Sequence, residues 1–153
     1  MIESKELIWD YVNKVDHYVV VTTNCVLDKN KHLVMGKGIA LEAKQRFPDL
    51  PKFLGDWLIA NYGICQSDGC VFDYTSVECP HNIIALQTKR AWQDPSSLYL
   101  IELAINSISE LALQYPFRIY HLPKVGCGKG GLDWVSQVKP LCQKLPDNCV
   151  VHI

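Results

Sequence analysis

The sequence has no apolar run approaching the ~20 residues of a membrane span, so no transmembrane segment is expected. It also has no excess of either charge. A net charge of -1 with 20% charged residues argues against a dominant basic groove for nucleic acid, while leaving room for a local patch. The opening Met1-Ile2-Glu3-Ser4-Lys5-Glu6 mixes charges and lacks the apolar core of a signal peptide, so the expected compartment is the cytoplasm. Cys-x-x-Cys pairs are missing too. The seven cysteines form no regular framework and read as free thiols of a reducing compartment. Cys65, Cys70, Cys79 and His81 come nearest to a metal set, but their irregular spacing favours small apolar residues in a loop and hairpin. Neither a metal nor a cofactor is expected. No repeat, low-complexity tract or linker divides the 153 residues, a length that fits one monomeric domain burying roughly two thirds of its unfolded surface.

What is present is an alternation of apolar strands with helical patterns. Residues 6–9 read as a short first strand and 18–23 as a strong one, whose continuous apolar run implies burial on both faces. A helix follows over 41–47, with Ile39, Ala43 and Phe47 on one face and Pro48 as its stop. A second opens near Pro51, buries Leu54, Trp57 and Leu58, and closes at Gly63. Ser67-Asp68-Gly69 signals a turn, with strands expected at 70–74 and 82–87. Asp94-Pro95 is expected to cap the longest helix, with its apolar stripe Leu98, Ile101, Ala104, Ile105, Ile108, Ala112. A strand over 117–122, a turn over 132–138, a last helix starting near Lys139-Pro140 and a final strand over 149–153 complete an α/β sheet with helices on both faces.

Two glycine-rich stretches stand where such a sheet binds ligands, beyond the carboxyl ends of strands. The first is Met35-Gly36-Lys37-Gly38-Ile39-Ala40, running straight into a helix. Paired glycines clear one surface of side chains, and the amides opening the helix favour phosphate. The second, Val125-Gly126-Cys127-Gly128-Lys129-Gly130-Gly131, follows another strand. Neither fits a Walker loop, which needs Ser or Thr after Gly-Lys, and the second is out of register for a dinucleotide fingerprint. Two such loops facing each other make a narrow main-chain slot suited to a diphosphate. A side chain placed at Gly126 is expected to intrude into that slot.

Asn24-Cys25, the Met35–Ala40 stretch, Thr88-Lys89-Arg90 and Gly126–Gly131 followed by Leu132-Asp133-Trp134, in that order, resemble a macrodomain. More narrowly they resemble the branch containing the DarG-type DNA ADP-ribosyl glycohydrolase antitoxin and the terminal ADP-ribose protein glycohydrolase. The resemblance implies a three-layer α/β/α sandwich around a mixed sheet and ADP-ribose as ligand. Its diphosphate would lie between the two glycine loops and its distal ribose near Asn24 and Lys89. It also implies Lys89 and Asn24 as catalytic residues, with Arg90 a weaker choice, and ADP-ribosylated DNA or protein as partner.

The chemistry stands on its own terms as well. A lysine amine beside an anomeric carbon can attack it or form a Schiff base with the opened sugar, provided the amine is partly neutral. An ordinary lysine near 10.4 is not, so burial or the neighbouring Arg90 must lower it. The sequence also departs from the family. The protein-directed member carries an aspartate at the position of Gly130, and Asp133, three residues later, suits capping instead. The adenine-binding aspartate has Asp10 as its candidate, without the usual preceding glycine. The loop over 27–33 is long enough to reach over the distal ribose, and Trp92 suits either stacking on the ligand or packing. The first expectation is an ADP-ribosyl glycohydrolase. The alternatives are an ADP-ribose 1''-phosphate phosphatase and a non-catalytic ADP-ribose-binding module.

Overall fold

The computed structural model describes residues 1–63 and 72–153. Among these, the strands are β1 (Ile2–Ser4), β2 (His17–Thr23), β3 (Ser76–Cys79), β4 (Ile83–Gln87), β5 (Ile119–Pro123) and β6 (Cys149–His152). The helices are α1 (Gly38–Arg46), α2 (Leu50–Tyr62), α3 (Leu98–Gln114) and α4 (Lys139–Cys142). One mixed sheet runs in the order β1-β6-β5-β2-β4-β3, parallel throughout except that β3 is antiparallel to β4.

The apolar runs of the central strands are explained by what covers them. Val19 and Val21 of β2 pack with Ala43, Leu54 and Leu58 of α1 and α2, whereas Val20 packs on the other face with Ile101, Ile105 and Ile108 of α3 and Cys142 of α4. Burying each such Leu or Ile contributes about 1.5–3 kcal/mol. The layers are therefore helix, sheet, helix. The carboxyl ends of β2, β4, β5 and β6 gather on one side of the molecule.

Several elements differ from the sequence expectation. The first strand is Ile2–Ser4, while Ile8–Tyr11 is a turn of 3-10 helix anchored by buried Ile8 and Trp9. The residues of that turn were apolar because they pack on the sheet. Of the strand expected over 70–74, Cys70 and Val71 lie outside the described residues, as does the turn at Ser67-Asp68-Gly69. Phe72 to Tyr74 is irregular, and the strand pairing with β4 is Ser76–Cys79. Ser97, not Asp94, caps α3, its hydroxyl accepting from Leu100 N–H at 3.3 Å. The segment Trp134–Val138 is a π-helical turn leading into α4. Pro140 is tolerated because it stands in the first turn of α4, where its missing N–H has no intrahelical partner to lose.

A line of three imidazoles crosses the sheet diagonally. His152 Nδ1 lies 2.8 Å from the Glu6 carbonyl, His121 Nδ1 2.9 Å from His152 Nε2, and His17 Nδ1 2.8 Å from His121 Nε2. A carbonyl only accepts, so His152 Nδ1 carries a proton and its Nε2 accepts, which fixes His121 and then His17 in the same tautomer. The Tyr11 ring stacks on His121 at 3.9 Å. Burial, reinforced by the neighbouring His152, His17 and Lys14, holds His121 neutral, its pKa lowered to about 3.

The unfolded chain takes up this proton near pH 6.5 and the folded one does not, so stability falls as pH drops from about 6.5 toward 3. Between pH 6.5 and 5 the loss from this group is roughly 2 kcal/mol. Urea titrations of wild type at the two pH values should differ by that amount more than those of His121→Gln.

Candidate functional site

The β2–β4 ladder does not stop at the end of the sheet. Thr88 N–H donates to the Thr23 carbonyl at 3.0 Å, and Cys25 N–H to the Arg90 carbonyl at 3.0 Å, which holds Asn24 and Lys89 side by side. Asn24 is buried. Its Nδ2 donates to the Val34 carbonyl at 2.9 Å and its Oδ1 accepts from Val26 N–H at 2.9 Å, so its amide pins the chain that leads to the first glycine loop. The Tyr74 hydroxyl donates to the Asn24 carbonyl at 2.6 Å and contacts the Thr23 hydroxyl. On the other side, Ser97 N–H donates to the Thr88 carbonyl at 2.8 Å and Ser96 N–H to the Gly130 carbonyl at 3.0 Å, fastening the second glycine loop to the same knot.

These loops enclose a cavity of about 650 Å³ beyond the carboxyl ends of the strands. Its floor is Thr22, Thr23, Pro123 and His152, from β2, β5 and β6. One wall is Gly36, Lys37, Gly38, Ile39 and Ala40, and the facing wall is Gly126, Cys127, Gly128, Lys129 and Gly130. The start of α1 has no side-chain cap, so its first amides remain as donors toward the cavity. Lys37, Lys89, Lys124 and Lys129 line the cavity, and among the described residues no lining residue is a carboxylate. A protein of net charge -1 therefore carries a locally cationic slot.

Of the residues singled out in the sequence, Asn24, Thr88, Lys89 and the glycine-loop residues just named come together here. Met35 and Val125 do not line the cavity but are buried in the core on either side of it, where they brace the loops. Gly131, at φ 77°, turns the chain at the loop's end. Asp10 is exposed on the 3-10 turn and does not line the cavity. Arg90 is engaged elsewhere, its Nε and guanidinium nitrogens bonded to Asp73 at 2.9–3.3 Å. The loop over 27–33 docks on α2, where the Lys31 carbonyl fits against Gly55 so closely that a Cβ would overlap it. Only Val34, beyond its end, reaches the cavity.

Trp92 does line it, with Lys37 Nζ 5.6 Å from its ring centroid. Asp133 caps, its Oδ2 accepting from Ser136 N–H at 2.8 Å. Of the residues weighed as a zinc set, Cys65 and Cys70 lie outside the described residues, the Cys79 thiol bonds the Val77 carbonyl, and His81 stacks on Phe47. Ser96, Lys124 and His152 carried no sequence signal, although any residue at a strand's carboxyl end was a candidate by position.

Lys89 is half-buried. Burial, assisted by Lys37, lowers its pKa below the ordinary lysine value of 10.5, while Asp94 opposes the shift. The amine thus stands in the wall of a cationic slot, beside three further lysines and the main chain of two glycine loops.

A helix–sheet–helix sandwich opening on a slot between two glycine loops is the architecture of the macrodomain class. No family profile matches the chain. A Mycobacterium tuberculosis protein named DNA ADP-ribosyl glycohydrolase is 32% identical over 133 residues, 84% of this chain and 36% of that protein. The macrodomain of Mycobacterium tuberculosis DarG is 29% identical with a TM-score of 0.68, over 99% of this chain and 97% of that one. That of Thermus aquaticus DarG is 25% identical with a TM-score of 0.69, over the same shares. The chain belongs to the macrodomain family, in its DarG-type branch. It spans about a third of the length of the curated relatives it matches.

Positions within the second glycine loop respond differently to added side chains. Gly126 lines the slot with its main chain, but a Cβ on it, at φ 74°, would stand 2.6 Å from Ile101 Cδ1 of α3, which corrects the expectation that a side chain here would intrude into the slot. A Cβ on Gly128 meets nothing within 4 Å. Gly126→Ala should therefore cost about 2–4 kcal/mol in chemical denaturation, and Gly128→Ala less than about 0.5 kcal/mol.

Proposed function

We propose that this chain is an ADP-ribosyl glycohydrolase that binds ADP-ribose in the slot and releases it from a modified macromolecule, DNA being the substrate named for its relatives. The observation that carries this reading is Lys89, an amine of lowered pKa in the wall of a main-chain slot lined by four lysines. The diphosphate lies between the first amides of α1 and the second glycine loop, where helix dipole and lysines offset its charge.

The distal ribose then lies beside Asn24 and Lys89. The bond from the anomeric carbon to the base breaks, the base leaves with a proton, and a bond from that carbon to Lys89 Nζ forms. Water hydrolyses that bond, giving free ADP-ribose and restoring the amine. Asn24, its amide tied to Val26 and Val34, keeps one donor and one lone pair for the sugar. The domain works as a cytoplasmic monomer without a metal, over residues 1–153. No helix among the described residues is long and apolar enough to cross a membrane.

A non-catalytic ADP-ribose reader needs no amine of lowered pKa, so Lys89 separates the readings. Calorimetry should detect ADP-ribose binding to wild type, near-wild-type affinity for Lys89→Ala, and no binding for Gly128→Glu, which puts a carboxylate into open slot space. Hydrolysis of ADP-ribosylated DNA should fall at least about 100-fold in Lys89→Ala. Unchanged turnover would remove Lys89 from the mechanism.

The rate depends on neutral Lys89, so it should rise with pH with its midpoint below 10.5. Asp94 favours the charged amine, so Asp94→Asn should move the rise to lower pH. Lys37 disfavours it, so Lys37→Ala should move the rise to higher pH.

A further inference from the structure

Among the described residues, two buried side-chain polar atoms have no hydrogen-bond partner, Ser96 Oγ and Arg118 Nε. Arg118 is accounted for by its neighbours: the guanidinium lies 3.9 Å from the Tyr115 ring centroid and 4.7 Å from that of Tyr18, and its NH1 group pairs with Glu78. Ser96 has no such account. It is 7% exposed, lines the cavity and precedes α3, but the capping that helix requires is already done by the Ser97 hydroxyl.

Its position is beneath the second glycine loop. A Cβ on Gly130 would overlap Ser96 Oγ, and one on Gly126 would stand 3.1 Å from Ser96 Cβ. Alanine would fill the same space without leaving a hydroxyl unpaired in the interior, where such a group is costly. Within the fold this oxygen has no partner among the described residues, and the cavity it lines is where one can come from. The loop above it has glycine at 126, 128, 130 and 131 and open space around Gly128 and Gly131, and the main-chain bond from Ser96 N–H to the Gly130 carbonyl is what a shift at Gly130 must release.

We propose that Ser96 is a diphosphate-contacting residue: when the slot fills, the loop shifts at Gly130 and Ser96 Oγ–H donates to a phosphate oxygen. This rests on the cavity being an ADP-ribose site. The unpaired hydroxyl then becomes a charge-assisted donor, and ligand affinity gains what the empty protein forgoes.

The test compares wild type with Ser96→Ala by calorimetry with ADP-ribose and ADP, by melting of the empty proteins, and by the phosphorus NMR spectrum of bound ADP-ribose. The variant should melt at or above wild type, bind both ligands about tenfold more weakly, and shift one bound phosphorus resonance. Wild-type affinity in the variant would overturn the inference while leaving the site reading intact. Weaker binding accompanied by a lower melting temperature would also overturn it, because it would make Ser96 a structural residue. Failure of wild type itself to bind ADP-ribose would overturn both.

Discussion

The site depends on a ladder that outruns its sheet. Past Gln87, the bonds from Thr88 to Thr23 and from Cys25 to Arg90 keep the chains of β2 and β4 together after the side chains have left the core. Main-chain bonds then pass from Thr88 to Ser97 and from Ser96 to Gly130, so three stretches distant in sequence, 23–25, 88–97 and 130, share one network. Because each bond joins backbone to backbone, the positions of Asn24 and Lys89 are set by the fold rather than by their own side chains. The buried Tyr74 hydroxyl, whose pKa burial pushes up, closes this knot from the side of the core.

Electrostatics follows from the same arrangement. Asp73 takes the Arg90 guanidinium outward, and the Asp73 carboxyl is held below its usual range by that contact. Lys89 is then the cation of the Thr-Lys-Arg segment that lines the cavity, next to Lys37. Adjacent residues in a strand's continuation point to opposite sides, so one basic pair yields one structural ion pair and one amine in a slot.

Much of this could be read from residue types. The glycine pairs marked both walls, the 3.6-residue stripe marked α3, and the uninterrupted valines of β2 marked a sheet covered on both faces. What escaped had physical reasons. β1 is three residues long at the sheet's edge, too short for any alternation, and the apolar Ile8 and Trp9 beside it belong to a 3-10 turn instead. Asp94-Pro95 mimicked a helix start because capping chemistry is shared by turns, and Ser97 took the position. The facing of Gly126 could not be read because a glycine motif does not state which side of the chain is crowded. Ser96 is defined only by what surrounds it.

The imidazole line has a consequence for how this sequence can drift. Every N–H in it points the same way, from His17 toward the Glu6 carbonyl, so His121 and His152 each serve as donor at one nitrogen and acceptor at the other, and His17 only donates into the line. A side chain at position 121 that breaks this head-to-tail order leaves both neighbouring rings mismatched. Residue 121 is thus expected to be exchanged only in concert with 17 and 152, although more than a hundred positions separate the first of the three from the other two.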